Sequence, residues 1–139
     1  NMATYGGYAI DESFTANADL SAKQYYWVKC GSVAGEVALA TGGSGPMALG
    51  ILQNNPKQGD AAVVRLLGVS KMAAYGELEE ATASPIAHGD PVGTGSLGKG
   101  CHVSGCIFHA IALEALAIGT TATIKVFVVP PGMRLAEEQ

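Results

Sequence analysis

Apolar and polar positions follow the same outline in two segments of this chain. Each segment is a short apolar run, a polar loop that reaches a glycine, and a second apolar run that carries one basic residue. The two segments cover residues 45–69 and 105–129, sixty positions apart. This outline is typical of two strands joined by a turn, made twice. The sequence therefore predicts two related strand-loop-strand units.

The duplication also decides how one ambiguous stretch folds. Residues 111–117 are good helix formers when they are read alone, but their counterparts, residues 51–57, include Asn54-Asn55-Pro56. Proline inside a helix removes a hydrogen bond and clashes with the preceding turn. We therefore expect a strand followed by a loop in both copies. The candidate core residues of the second copy are Ile107, Ile111, Leu113, Ile124, Val126 and Val128.

The other apolar runs are also short and are bounded by Gly, Pro and Asn, as strands are. Strands are predicted at residues 24–29, 38–40, 47–52, 61–75 (one long strand or a bent pair) and 101–103. The acidic stretch around Glu77, ended by Pro85, predicts one short helix at most. The predicted fold is all-β: a small β-barrel or β-sandwich built from two related strand-loop-strand units, with an extended N-terminal arm.

Three regions are predicted: an N-terminal arm at residues 1–20, a β-barrel or β-sandwich domain at 21–130, and an exposed C-terminal tail at 131–139. The arm contains no Lys or Arg, and Gly6-Gly7 interrupts any regular element. Its spaced apolar residues are Tyr5, Tyr8, Ile10, Phe14 and Leu20. Such an arm packs on its own domain or adds a strand to a partner's sheet. A frayed terminus is the alternative.

Composition narrows the function classes. The chain has 139 residues, which suits one domain, and only 14 % of them are charged against the usual quarter or so. The net charge is −4 and the basic residues are scattered, so we expect no nucleic-acid partner. The longest apolar stretch, residues 107–118, is shorter than the ~20 residues of a membrane span, and the N-terminus lacks a signal-peptide pattern. Three cysteines allow no complete disulfide framework, which favours synthesis in a reducing cytoplasm.

Two motifs are suggestive of chemistry, but neither has the required context. Residues 93–100 fit G-x-G-x-x-G, yet a phosphate loop needs a helix after it, and strand-like sequence follows here. This segment is predicted to be a hairpin loop. Cys101, His102, Cys106 and His109 match no common zinc spacing. No catalytic residue, metal or cofactor is expected, and the chain is not predicted to be an enzyme.

The order of motifs is similar to that of a known family. Residues 27–37, 48–69, 86–103 and 110–129 together resemble the capsid cement (decoration) proteins of tailed bacteriophages. The resemblance covers roughly residues 23–129. Its most telling pieces are Gly89-Asp90-Pro91-Val92, residues 112–115 with Gly119, and the strand at 123–128. The stretch at 77–84 and the aromatic arm are longer than the family pattern.

The resemblance implies a non-enzymatic structural protein on the outer surface of a virion, synthesised in the bacterial host cytoplasm. Its partner would be the major capsid protein, which it would bind as a homotrimer at threefold or quasi-threefold positions and cement against internal pressure. The predicted capsid-contact residues are Tyr5, Tyr8, Ile10 and Phe14. The alternative is a head-fibre or receptor- or glycan-binding β module of a virion, with Tyr25, Tyr26 and Trp27 lining a sugar site unless these aromatics belong to the core.

Overall fold

The computed structural model of the chain describes residues 8–42, 47–75, 85–95, 97–102, 107–117 and 120–134, with side chains for all of these except 107 and 130–134. These ranges contain nine strands and no helix, so the all-β prediction is confirmed. The helix predicted near Glu77 lies outside the described residues. The strands are β1 (Ile10–Ala16), β2 (Trp27–Cys30), β3 (Glu36–Leu39), β4 (Ala48–Leu52), β5 (Ala61–Tyr75), β6 (Pro91–Thr94), β7 (Gly100–His102), β8 (Ile107–Ala112) and β9 (Thr121–Arg134).

The strand pairings form two closed five-stranded barrels that share one strand. The N-terminal barrel has the order β1-β3-β2-β4-β5 and is closed by β1 pairing with β5. The C-terminal barrel has the order β5-β7-β6-β8-β9 and is closed by β5 pairing with β9. The shared strand β5 is 15 residues long, and its first half serves one barrel while its second half serves the other.

The two barrels repeat one another strand by strand. The parallel pair β1–β3 corresponds to the parallel pair β5–β7, and the other pairings of each barrel are antiparallel. The registers correspond as well. Thr15 pairs with Ala61, and sixty positions later Tyr75 pairs with Thr121. The internal duplication is therefore wider than the two units predicted from sequence, because it includes every strand.

The register of the β4–β5 pair differs from that of the equivalent pair β8–β9. Ile51 pairs with Arg65 in β4–β5, whereas the equivalent Ile111 pairs with Phe127, two residues beyond the equivalent of Arg65, in β8–β9. Side chains alternate between the two faces of a strand, so a shift of two residues leaves each one on its own face. The inward and outward patterns of the two copies are therefore preserved.

Each barrel has its own hydrophobic core, and β2 contributes to both. Val28 belongs to the core of the N-terminal barrel, and its neighbour Trp27 belongs to the core of the C-terminal barrel. Strand β4 does the same with Leu52 and Ile51. Successive side chains of a strand point to opposite faces. The β2–β4 wall of the first barrel is therefore buried on both faces and covers the second.

The predicted core of the second copy is only partly correct. Ile124 is 4 % exposed and Val126 and Val128 are fully buried, as expected, but Ile111 and Leu113 are half-buried. Alanines of β8 are buried instead, at Ala110 and Ala112. Successive residues of a strand point to opposite faces, so Ile111 points away from the interior that Ala110 and Ala112 face. The side chain of Ile107 lies outside the described residues.

The shared strand contains a glycine where it passes from one barrel to the other. Gly68 has φ +118°, a conformation that L side chains rarely adopt, and a Cβ there would lie 2.8 Å from the carbonyl oxygen of Tyr8. Glycine therefore allows β5 to continue as one strand through the junction. Of the two alternatives predicted for residues 61–75, one long strand or a bent pair, the structure has one long strand.

Candidate functional site

Three of the predicted capsid-contact residues lie in or just before β1: Tyr8 precedes the strand, and Ile10 and Phe14 belong to it. Tyr8 is 100 % exposed and Ile10 is 54 % exposed, so both side chains are available to a partner. Phe14 is half-buried and packs against the core of the N-terminal barrel. Tyr5 lies outside the described residues. Residues 10–16 of the predicted arm thus add a strand to the chain's own barrel, and Tyr8 and Ile10 lie at its exposed end.

An ion pair fastens β1 to the shared strand. The Arg65 Nε donates to Asp11 Oδ1 at 2.8 Å and Nη2 donates to Oδ2 at 2.9 Å, while Nη1 donates to the carbonyl oxygen of Val69 at 2.7 Å. Hydrogen bonding to Asp11 is the main reason that the pKa of Arg65 is raised above its usual value. This two-pronged geometry is the strongest form of a carboxylate–guanidinium pair. The end of β1 that carries Ile10 is therefore held in a fixed place.

The glycine-rich segment at 93–100 is a hairpin, as predicted. It joins β6 to β7, which pair antiparallel, and Gly95 N donates to Lys99 O at 2.9 Å. Its backbone contacts protein, because the Gly98 carbonyl oxygen accepts from Trp27 N at 2.7 Å. A Cβ on Gly98 would lie 2.6 Å from Leu39 Cδ1. The glycines thus allow the hairpin to lie against β2 and β3 of the other barrel.

The described members of the cysteine and histidine cluster, Cys101, His102 and His109, do not assemble as a metal centre. Within the part of the chain that the structure describes, no three His, Cys, Asp or Glu side chains come together to hold a metal ion. His109 is 8 % exposed and packs on Trp27, with ring centroids 5.6 Å apart, and burial lowers its pKa. The His102 Nε2 lies 3.8 Å from Asp90 Oδ2. Cys106 lies outside the described residues.

The three successive aromatic residues before and at the start of β2 do not form an exposed platform. Trp27 is 1 % exposed and belongs to the core, so it cannot stack on a sugar at the surface. Tyr25 has φ 72°, which is uncommon for a residue with a side chain. This backbone turn is the reason that β2 begins at Trp27 and not at residue 24, where the sequence predicts it.

Basic residues line an open pocket where the two barrels meet. The pocket has a volume of about 280 Å³. Its lining residues are Tyr25, Gln53, Arg65, Val69, Ser70, Lys71 and Lys125. The sequence pattern contains a signal for this site, because the single basic residues of the two copies are Arg65 and Lys125. The sequence pattern gives no signal for Lys71. Its place in this pocket follows from the sharing of β5 by the two barrels, which the pattern does not show.

The described residues form no membrane-spanning helix. No family model matches the chain, and no curated protein matches it either.

The nine-stranded double barrel defines a fold that is also found in a solved phage structure. The chain is similar to the N base of the head fiber gp8.5 of bacteriophage phi29, with a TM-score of 0.59 and 12 % sequence identity. The alignment covers 91 % of this chain and 98 % of that chain. At this identity the likeness shows a shared fold.

Proposed function

We propose that this chain is a structural protein of a bacteriophage virion and binds the outer surface of the capsid. The observation that carries the proposal is the likeness to the phi29 head fiber base across nearly the whole of both chains. The motifs that resemble phage cement proteins support the same class independently.

The cement role is the more specific form of this proposal. A homotrimer at threefold or quasi-threefold positions would contact several major capsid subunits at once, so that weak contacts add to a strong attachment. Tyr8 and Ile10 are proposed to make these contacts, since both are exposed and lie beside the Asp11–Arg65 pair that fixes β1. Neither a membrane nor a nucleic acid is a proposed partner.

A head-fibre base is the second candidate, and the phi29 likeness specifically favours it. A base of this kind would attach to the capsid by one surface and carry a fibre on another. A cement protein, in contrast, would stabilise the capsid without carrying a further module. Both candidates need a capsid-binding surface. They differ in how the stability of the capsid changes when the bound chain is removed.

The first experiment measures binding of the purified chain to expanded heads and to unexpanded precursors of the phage that encodes it. We expect sedimentation with expanded heads only, because cement proteins attach to the mature lattice. The double variant Tyr8→Ala and Ile10→Ala should weaken attachment at least tenfold and leave the melting temperature unchanged. Val33→Ala is the matched control, since Val33 is also exposed but lies in the β2–β3 turn, at the other end of β1 from Ile10. Equal binding to both head forms, or to neither, would contradict the proposal.

The second experiment separates the two candidates. Heads with and without the bound chain are heated or chelated, and release of packaged DNA is recorded. A cement protein should raise the temperature of DNA release, whereas a fibre base should leave it unchanged. Light scattering of the free protein tests the proposed trimer, and a monomer at all accessible concentrations would exclude it as a preformed unit.

A further inference from the structure

The two barrels carry different charges at one pair of equivalent positions: an acidic and a basic residue in one barrel, and two basic residues in the other. Asp11 pairs with Arg65 across β1–β5, and sixty positions later Lys71 pairs with Lys125 across β5–β9. In the N-terminal barrel the two side chains neutralise each other through hydrogen bonds of 2.8 and 2.9 Å. In the C-terminal barrel both equivalents are positive. The acid that completes the first site has no counterpart in the second.

Two lysines directly opposite each other in an antiparallel pair repel one another, since their Cβ atoms are about 5 Å apart. Over the described ranges, neither ammonium group forms an ion pair. Glu114 lies beside Lys125, but its Oε1 accepts a hydrogen bond from the Lys125 backbone N at 2.7 Å. The Lys71 ammonium lies 5.7 Å from the centre of the Tyr25 ring. The lysine pair therefore keeps an excess of positive charge at the surface.

The surroundings of the pair are fixed by hydrogen bonds. Gln53 Nε2 donates to Ile51 O at 3.1 Å and to Ser70 Oγ at 2.9 Å, and Ser70 Oγ donates to the Lys71 carbonyl oxygen at 2.7 Å. The unusual backbone of Tyr25 is held at both ends, because its N donates to Leu52 O at 2.8 Å and its carbonyl oxygen accepts from Ala73 N at 2.9 Å. Strained residues held in this way are frequent at binding sites.

An exposed apolar pair lies directly next to the lysines. Val69 is 48 % exposed and Phe127 is 37 % exposed, and these residues are opposite each other across β5–β9. Residues two apart on a strand share a face, so this pair and Lys71–Lys125 are on the same outer surface. A positive site with an adjoining apolar surface matches a protein segment that carries acidic and apolar side chains.

We propose that the Lys71–Lys125 pair is a docking site for carboxylate side chains of a partner protein. A carboxylate placed between the ammonium groups would supply the negative charge that Asp11 supplies to Arg65 in the other barrel. Apolar side chains of the same segment would cover Val69 and Phe127. The inference does not depend on the virion role, because it concerns the purified chain and one surface.

The test is a titration of isotope-labelled protein with the peptide acetyl-Glu-Leu-Glu-amide, followed by amide chemical shifts. The ionic strength is about 0.01 M, where the Debye length is about 30 Å and exposed charges are weakly screened. We expect shifts at Lys71 and Lys125 and a Kd on the order of 1 mM. The double variant Lys71→Gln and Lys125→Gln should weaken binding at least tenfold. Lys57→Gln is the matched control, because Lys57 is an exposed lysine in a turn elsewhere.

A single variant separates loss of the site from loss of the fold. Lys71→Glu places a negative charge opposite Lys125, as Asp11 lies opposite Arg65, and should raise the melting temperature by about 2–4 °C. The same variant should abolish peptide binding. A stabilised protein that no longer binds would support the proposal, and a variant that binds the peptide unchanged would overturn it.

Two probes identify the ligand chemistry. The neutral peptide acetyl-Gln-Leu-Gln-amide should bind at least tenfold more weakly than the acidic one. Inorganic phosphate at the same concentration should produce smaller shifts at Lys71 and Lys125, since it offers nothing to Val69 and Phe127. Equal binding of the neutral peptide would show that charge is not recognised, and tighter binding of phosphate would point to a nucleic-acid or other phosphate ligand. Either result would overturn a carboxylate docking site.

Discussion

The N-terminal and C-terminal barrels share one pairing scheme but bury equivalent positions to different degrees. Glu12 and Met72 lie sixty positions apart and pair with Val64 and Ile124 respectively, so they occupy equivalent positions in the two barrels. Glu12 is exposed, whereas Met72 is fully buried. The C-terminal barrel is covered by Trp27 and Ile51 from the outer face of the first barrel. Burial here thus depends on what lies against a barrel as well as on its strand order.

The largest expected effect is the removal of a side chain from the covered barrel. Met72→Ala should lower the free energy of unfolding by about 2–5 kcal/mol, because it leaves a cavity in a close-packed core. Glu12→Ala at the equivalent position should change it by no more than about 0.5 kcal/mol. Chemical denaturation of both variants measures the difference. Similar losses of stability in the two variants would show that the two equivalent positions are buried to the same degree.

The next effect concerns the junction between the barrels. Gly68→Ala should cost about 1–3 kcal/mol, because alanine is strained at φ +118° and its Cβ would crowd the Tyr8 carbonyl oxygen at 2.8 Å. Gly59→Ala is the control, since Gly59 also has positive φ, at +89°, but a Cβ there meets nothing within 4 Å. Gly59→Ala should cost less. If thermal denaturation gives equal losses, close packing at the junction is unimportant.

A smaller effect is expected from converting one charge pattern into the other. Asp11→Lys gives the N-terminal barrel two positive groups, as at Lys71 and Lys125, and should cost about 0.5–1 kcal/mol because the pair is partly exposed. Adding Arg65→Asp to this variant reverses the pair and should recover most of the loss. A double-mutant cycle at low salt measures the coupling. If the double variant recovers none of the lost stability, the stabilisation depends on an arginine at position 65 and not on the pairing of opposite charges.

The last difference appears only when the pH is lowered. His109 in β8 has Leu49 as its equivalent in β4, and burial lowers the His109 pKa below its usual 6.5. The unfolded chain then binds a proton at a higher pH than the folded chain, so stability should fall as the pH falls below about 6.5. His109→Leu should flatten this dependence between pH 7 and 5, measured by thermal denaturation.

The control for this pH effect is His88→Gln, because His88 is an exposed histidine elsewhere in the chain. An identical slope in His109→Leu and in the unsubstituted protein would assign the pH dependence to other groups.

Four strands could be predicted from the sequence, because their apolar runs are long and the turns between them contain Gly, Asn and Pro. These strands are β4, β5, β8 and β9. The wider duplication could not, since Glu12 and Met72 share a structural position without sharing chemistry. The sharing of β5 also escapes sequence patterns, because nothing in the strand-like residues 61–75 marks Gly68 as the point where two barrels meet. The Lys71–Lys125 pair is visible only once this register is known.

The exposed aromatic interpretation fails for a related reason. A run such as Tyr25-Tyr26-Trp27 predicts strand propensity but does not indicate which faces will be covered. Strand β2 is covered on both sides, which buries Trp27, and only tertiary packing determines this.

The shared strand has a consequence for how the molecule loses its structure. Residues 61–67 pair with β1 and residues 68–75 pair with β9, so one continuous strand forms backbone hydrogen bonds in both barrels. Opening either barrel frees half of β5 and weakens the register of the other half. The protein should therefore melt as one cooperative unit, with the amide hydrogens of β5 among the slowest to exchange with solvent. Two fused copies would thus behave thermodynamically as a single body.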